Sequence, residues 1–136
     1  MFTEIGIINQ LSSNRLERVL PDGVSIAQFS VLNHFVRLGG QWAPSRLARA
    51  FQVTKGAMTN TLQRLEAQGL VKIVADNADA RAKLVEITAA GRKMRETCVQ
   101  ATGSIMSEVF ASLQLDEVRA ALPMLEKLRK VLDTTR

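Results

Sequence analysis

Pro44-Ser45-Arg46-Leu47-Ala48-Arg49-Ala50-Phe51-Gln52-Val53-Thr54-Lys55-Gly56-Ala57-Met58 is the stretch that decides the fold of this chain. Leu47, Ala48 and Phe51 fall on one side of a short helix over 45–51. Pro44 suits its first turn, because the amide that proline lacks would be unpaired there. Gln52, Val53 and Thr54 form a tight connection, and the Thr54 hydroxyl can accept from a first-turn amide of whatever follows. From Lys55 the apolar positions Met58, Leu62 and Leu65 mark one face of a second helix, which Gly69 can stop. Two short helices joined by about three residues outline a helix-turn-helix.

If Met58, Leu62 and Leu65 pack inward, Lys55, Gly56, Thr59, Asn60, Gln63 and Arg64 turn outward. That face offers amides, a hydroxyl and cations but no acid before Glu66. Asn or Gln can bond adenine bidentately, and Arg or Lys can reach guanine, so the set matches the major groove of duplex DNA. Gly56 would let a backbone approach closely. Ser45, Arg46 and Arg49 on the preceding helix, with Lys83 further on, are candidates for phosphate contacts.

After Gly69 the period changes. Val71 and Ile73, then Val85 and Ile87, alternate as strands do, and the polar or small residues 76–82 between them read as the loop of a hairpin, a wing. An arginine at such a tip, here Arg81, can enter a narrow minor groove. Asp79 is expected to organise the loop by accepting local amide hydrogen bonds.

Upstream, residues 2–20 read as a helix ending at Pro21-Asp22-Gly23. Ser25 and Gln28 have capping-box spacing at the start of another, which stops at Gly39-Gly40. Gln41-Trp42-Ala43 suggests a short strand, with Trp42 anchoring the strand–helix junction. Downstream, Thr88 can cap a long helix running to about Ser112. A last helix, from about Asp116 to Leu132, should bend at Pro123, where a hydrogen bond is missing. The first and last helices are too apolar to stand alone, and a second subunit is their expected cover.

Charge agrees with the DNA reading. From Ala43 to Arg95 there are ten basic residues and four acids, a local net of +6 in a chain whose total is +5. Polyanions are bound by such concentrated footprints, through counterion release. Cys98 and His34 are the only cysteine and histidine. They are too few for a disulfide or a zinc site of those ligands, and both are expected to be packed residues. No nucleophile–base set or phosphate-binding glycine loop is present, so an enzyme is not expected, and neither is a cofactor. No signal peptide or membrane span is expected, and the cytoplasm is the expected location.

The order and spacing of Ser25 through Gln28, Leu47-Ala48 with Phe51, Val53-Thr54, Leu62 and Leu65 with Gly69-Leu70-Val71, Asp79-x-Arg81, and Leu84 with Thr88 and Gly91 resemble the MarR family of bacterial transcriptional regulators. The resemblance implies a mainly α fold with a β-hairpin wing in a single domain over 1–136. Residues 24–91 would form the winged helix-turn-helix, and 1–20 and 89–136 the dimerisation helices of a homodimer. It implies a recognition helix over 55–68, wing residues 76–82 with Arg81 in an aspartate-x-arginine motif, and often a repressor released from double-stranded DNA by a small apolar or phenolic effector. Gln52 departs from the pattern, since glycine is common at that turn, and the segment before Pro21 is short for the family.

Two rival readings share the fold. A winged helix used for protein–protein contact would have lost the cationic face, and the acid-free stretch from Pro44 to Gln63 argues against it. A metal-sensing regulator is disfavoured by the scarcity of Cys and His, although carboxylate sites stay open.

Overall fold

From the N-terminus the backbone of the computed structural model forms α1 (Phe2–Val19), α2 (Ile26–Leu38), α3 (Pro44–Phe51), α4 (Lys55–Ala67), β1 (Val71–Ala75), β2 (Lys83–Ile87), α5 (Ala89–Ala101), α6 (Gly103–Ser112) and α7 (Leu115–Asp133). The structure describes residues 1–79 and 81–134. Ala80, within the expected wing loop, and Thr135 and Arg136 lie outside the described residues. The chain divides into two compact units, Met1–Thr102 and Gly103–Arg136.

In the first unit, Ser25 and Gln28 close the expected capping box. The Gln28 amide donates to the Ser25 hydroxyl at 3.1 Å, and the Ser25 amide to the Gln28 side chain at 2.8 Å. α2 buries Val31, Leu32 and Phe35 against Leu47 and Ala48 of α3, Met58, Leu62 and Leu65 of α4, and Leu70, Val71 and Val85 at the strands. Each such large side chain taken from water contributes about 1.5–3 kcal/mol. A smaller cluster joins Leu20, Val24 and Cys98, with Leu16 and Phe29 packed on it.

Two helix ends in this unit use the same closure with different residues. α3 ends with the Val53 amide on the Ala48 carbonyl (3.0 Å) and the Gln52 amide on Arg49 (3.2 Å). α4 ends with Leu70 on Leu65 (2.9 Å) and Gly69 on Glu66 (2.9 Å). This paired pattern needs a left-handed residue, which usually is glycine. Gly69 supplies it at φ 73°, whereas Gln52 adopts φ 61° despite its Cβ. Gln52 therefore makes the helix-turn-helix bend that glycine commonly makes.

β1 and β2 pair antiparallel, Val71 opposite Ile87 and Ile73 opposite Val85. Trp42 adds the edge foreseen from Gln41-Trp42-Ala43: it exchanges both backbone hydrogen bonds with Val85, at 3.0 and 2.9 Å. The end of α4 is tied to the start of α2 by Gln68. Its side chain accepts from the buried Gln28 at 2.7 Å and donates to the Gly23 carbonyl at 2.8 Å. Thr88 caps α5 as expected, accepting from the Gly91 amide at 3.0 Å.

The single helix expected from Thr88 to about Ser112 is two helices, interrupted at Thr102. There the Thr102 amide is shared between the carbonyls of Cys98 and Val99, and its hydroxyl donates to Val99 at 2.7 Å. A threonine bonding its own backbone, followed by Gly103-Ser104, weakens helix continuation. In the second unit, the Gln114 amide donates to the Glu117 carboxylate at 2.7 Å to open α7, which continues through Pro123.

Candidate nucleic-acid interface

The inward face of α4 is the one the spacing predicted. Met58, Leu62 and Leu65 are at most 3% exposed. Their burial fixes the rotation of the helix and turns Lys55, Gly56, Thr59, Asn60, Gln63 and Arg64 to the exterior, where all six are exposed. Thr54 caps the helix, its hydroxyl accepting from the Ala57 amide at 3.1 Å, so its first role is structural even though the residue is exposed. Gly56 has no neighbour within 4 Å of where a Cβ would stand. Nothing within the chain requires a glycine there.

On α3, Leu47 and Ala48 point into the core while Ser45, Arg46 and Arg49 are exposed. A cleft of about 330 Å³ draws three elements together, lined by Ser45 at the start of α3, Lys55 and Thr59 on α4, and Lys83 at the start of β2. Ala43, Pro44 and Ala82 complete its walls. These small and ring side chains keep the space open between the cations, a contribution that sequence reading missed because none of them carries a functional group.

In the wing, both acids are occupied by backbone. Asp76 accepts from the Ala78 amide at 2.9 Å and Asp79 from the Arg81 amide at 3.0 Å, which is the local role expected of Asp79. Arg81 is exposed and forms no ion pair among the described residues. The aspartates of the loop therefore do not neutralise the Arg81 guanidinium by direct pairing.

Pairing separates the cations of this region into two sets. Lys72, on β1, lies 2.8 Å from Glu86, which also accepts from the Gln41 side chain at 2.7 Å. The Lys72 hydrogen bond first, then Gln41, holds the Glu86 carboxyl below its ordinary range. Arg95 is likewise paired, with Glu96 and Asn33. Arg46, Arg49, Lys55, Arg64, Arg81 and Lys83 have no carboxylate partner among the described residues. A strip from α3 across α4 to the base of the wing thus carries cations without carboxylate partners beside the amides of Asn60 and Gln63, and Arg81 stands unpaired among the described residues in the loop beyond it. This is the combination of phosphate-attracting and base-reading groups that a DNA groove requires.

The remaining singled-out residues lie elsewhere. Cys98 is fully buried in the smaller core, where desolvation pushes its thiol pKa up and keeps it protonated. His34 is buried in an aromatic cluster with Phe35, Trp42 and Phe51. Trp42 anchors the strand–helix junction as expected, its indole donating to the Gly39 carbonyl at 2.8 Å. Among the described residues no three His, Cys, Asp or Glu side chains gather as a metal site would need, and no helix is long and apolar enough to cross a membrane.

The sequence profile of the MarR family matches residues 22–82. The multiple antibiotic resistance protein MarR of Escherichia coli K12 is 32% identical over 126 residues, which cover 91% of this chain and 87% of that protein. Among solved structures, the transcriptional regulator BldR from Sulfolobus solfataricus superposes with a TM-score of 0.80 at 27% identity, covering 98% of this chain and 92% of that one. A mutant E. coli MarR complexed with operator DNA superposes at 0.72 with 29% identity, covering 94% and 97%. With the hairpin, the helix-turn-helix and these relatives in agreement, the chain belongs to the MarR family of transcriptional regulators.

Proposed function

We propose that this chain acts as a homodimer on a pseudo-palindromic operator, as a repressor that a small apolar or phenolic effector releases. Helix α4 enters the major groove, with Thr59, Asn60 and Gln63 on base edges and Lys55 and Arg64 beside them. Gly56 leaves room for the DNA backbone. Ser45, Arg46, Arg49 and Lys83 hold phosphates, and Arg81 enters the minor groove. One observation carries the reading: the exposed strip from α3 to the wing contains six cations without carboxylate partners among the described residues. Ordinary solvated faces mix signs of charge, and the α3–α4 part of this one, from Pro44 to Gln63, carries no acid.

The homodimer is supported by α1 and α7, neither of which has a buried residue although both are rich in apolar side chains. A dimer places two α4 helices in successive major grooves about ten base pairs apart. Effector release, repression and a cytoplasmic site of action rest on family membership, and no cofactor is part of the proposal.

The test is a DNA titration by fluorescence anisotropy, using fragments selected from the source genome, over a range of salt. Binding should weaken steeply with salt, because several phosphate contacts release counterions together. Arg81→Ala should weaken it by about 1–3 kcal/mol. Selection that retains no fragment, or retention insensitive to salt, would refute operator binding. An unchanged curve for Arg81→Ala would remove the wing tip from the mechanism.

A further inference from the structure

Trp42 stands where the wing, the helix-turn-helix and the core meet. Its backbone exchanges two hydrogen bonds with Val85 of β2, and its indole N–H donates to Gly39, the residue that closes α2. Its ring packs against His34 at 4.4 Å between centroids. Over that ring lies the Arg46 guanidinium, with its central carbon 4.4 Å from the ring centroid. Arg46 sits in the first turn of α3 and has no carboxylate partner among the described residues.

A long arginine side chain on a helix surface ordinarily samples many rotamers, and each phosphate contact must first overcome that entropy. An indole face attracts a guanidinium through its quadrupole without occupying the N–H donors in a salt bridge. The ring cannot itself drift, because backbone pairing, the Gly39 carbonyl and the aromatic cluster fix it from three directions. The cation is therefore restrained while its donors remain available to an anion.

We propose that Trp42 is a positioning residue for DNA binding, holding the Arg46 guanidinium ready for a phosphate and linking that contact to the wing strand. The proposal rests on the reading of Arg46 as a phosphate contact and deepens it. It predicts coupling between two residues, of which only Arg46 meets DNA.

The experiment is a double-mutant cycle of Trp42→Leu and Arg46→Ala, read as operator affinity and as its salt dependence, with thermal unfolding in parallel. Arg46→Ala should reduce both the affinity and the salt slope. Trp42→Leu should weaken binding about two- to five-fold per subunit, the range of a partly exposed cation–π contact. In the Arg46→Ala background the Trp42 substitution should cost nothing further, and Trp42→Phe, which keeps a ring, should restore part of the loss. If Arg46→Ala leaves affinity and slope unchanged, the phosphate reading of Arg46 fails. If Arg46→Ala weakens binding but the two substitutions add independently, the positioning role fails and the phosphate reading survives.

Should Trp42→Leu not fold, the unaltered ring carries the test, since Trp42 is the only tryptophan and the chain has no tyrosine. Arg46→Ala should then shift the intrinsic emission of the free protein by uncovering the indole. Identical spectra with and without Arg46 would show that the guanidinium does not rest on the ring in solution, and would overturn the proposal.

Discussion

Helices α2 and α7 are both amphipathic, yet they have opposite fates. α2 has thirteen residues and buries five of them. α7 has nineteen and buries none, leaving Leu122, Leu125 and Leu132 exposed. Isolated helices gain little stability from backbone hydrogen bonds alone, and most comes from packing an apolar face. In α2 that packing is internal and holds α4 in place. In α7 the same kind of face is exposed, as the proposed association surface requires.

The sharpest way to break this comparison is to truncate one side chain from each helix. Phe35→Ala, in the centre of the core, should cost about 3–5 kcal/mol in denaturant unfolding, at any protein concentration. Leu125→Ala should leave the isolated subunit nearly unaffected but weaken self-association by on the order of 1–2 kcal/mol. Sedimentation against concentration would register the second effect. Equal, concentration-independent losses for the two would mean that α7 is not an association helix.

Gly91 sharpens the same contrast from the packed side. A Cβ there would collide with the Leu70 carbonyl oxygen and come within 2.7 Å of the Ile87 side chain. Gly91→Ala should destabilise by about 3 kcal/mol, the upper end of ordinary overpacking, because a backbone group cannot step aside as a side chain can. Gly56 is its counterpart on the exposed face of α4. Gly56→Ala should stabilise the fold by about 0.5–1 kcal/mol through helix propensity while weakening operator binding. A variant that melts higher and binds as well as the parent would remove Gly56 from the interface.

The smallest expected effect is one of pH. Burial first, and then the nearby Arg37, lower the His34 pKa below its ordinary 6.5. The unfolded chain therefore takes up this proton more readily than the folded one. The His34 contribution is complete above about pH 6.5, declines as pH falls from there toward the folded value, and levels off below it. Urea midpoints compared at about pH 7.5 and pH 5.5 should show a decline that shrinks in His34→Phe. An unchanged decline in that variant would assign the pH dependence to other groups.

Much of the candidate interface is legible in the sequence because it lies on one regular element. Once Met58, Leu62 and Leu65 were read as inward, helical geometry oriented Lys55, Thr59, Asn60 and Gln63 without further information. The capping residues Ser25, Thr54 and Thr88 were legible for a similar reason, since each acts on an amide a few residues away. The break at Thr102 was not legible. It depends on a shared amide and a short hydroxyl bond, and apolar periodicity continues through it. The neutralisation of Lys72 by Glu86 was also hidden, because strand register must be known before residues fourteen apart can be paired.

Local chemistry by itself determined the element order as far as the start of α5, the outward face of α4 and the concentration of positive charge in the middle of the chain, because caps, periods and charges act over a few residues. Only the tertiary structure decided which of those charges remain unpaired, that Ser45, Lys55, Thr59 and Lys83 share one cleft, and that Arg46 rests on Trp42. Those facts depend on distances between segments far apart in sequence, and such distances are set by how the core packs.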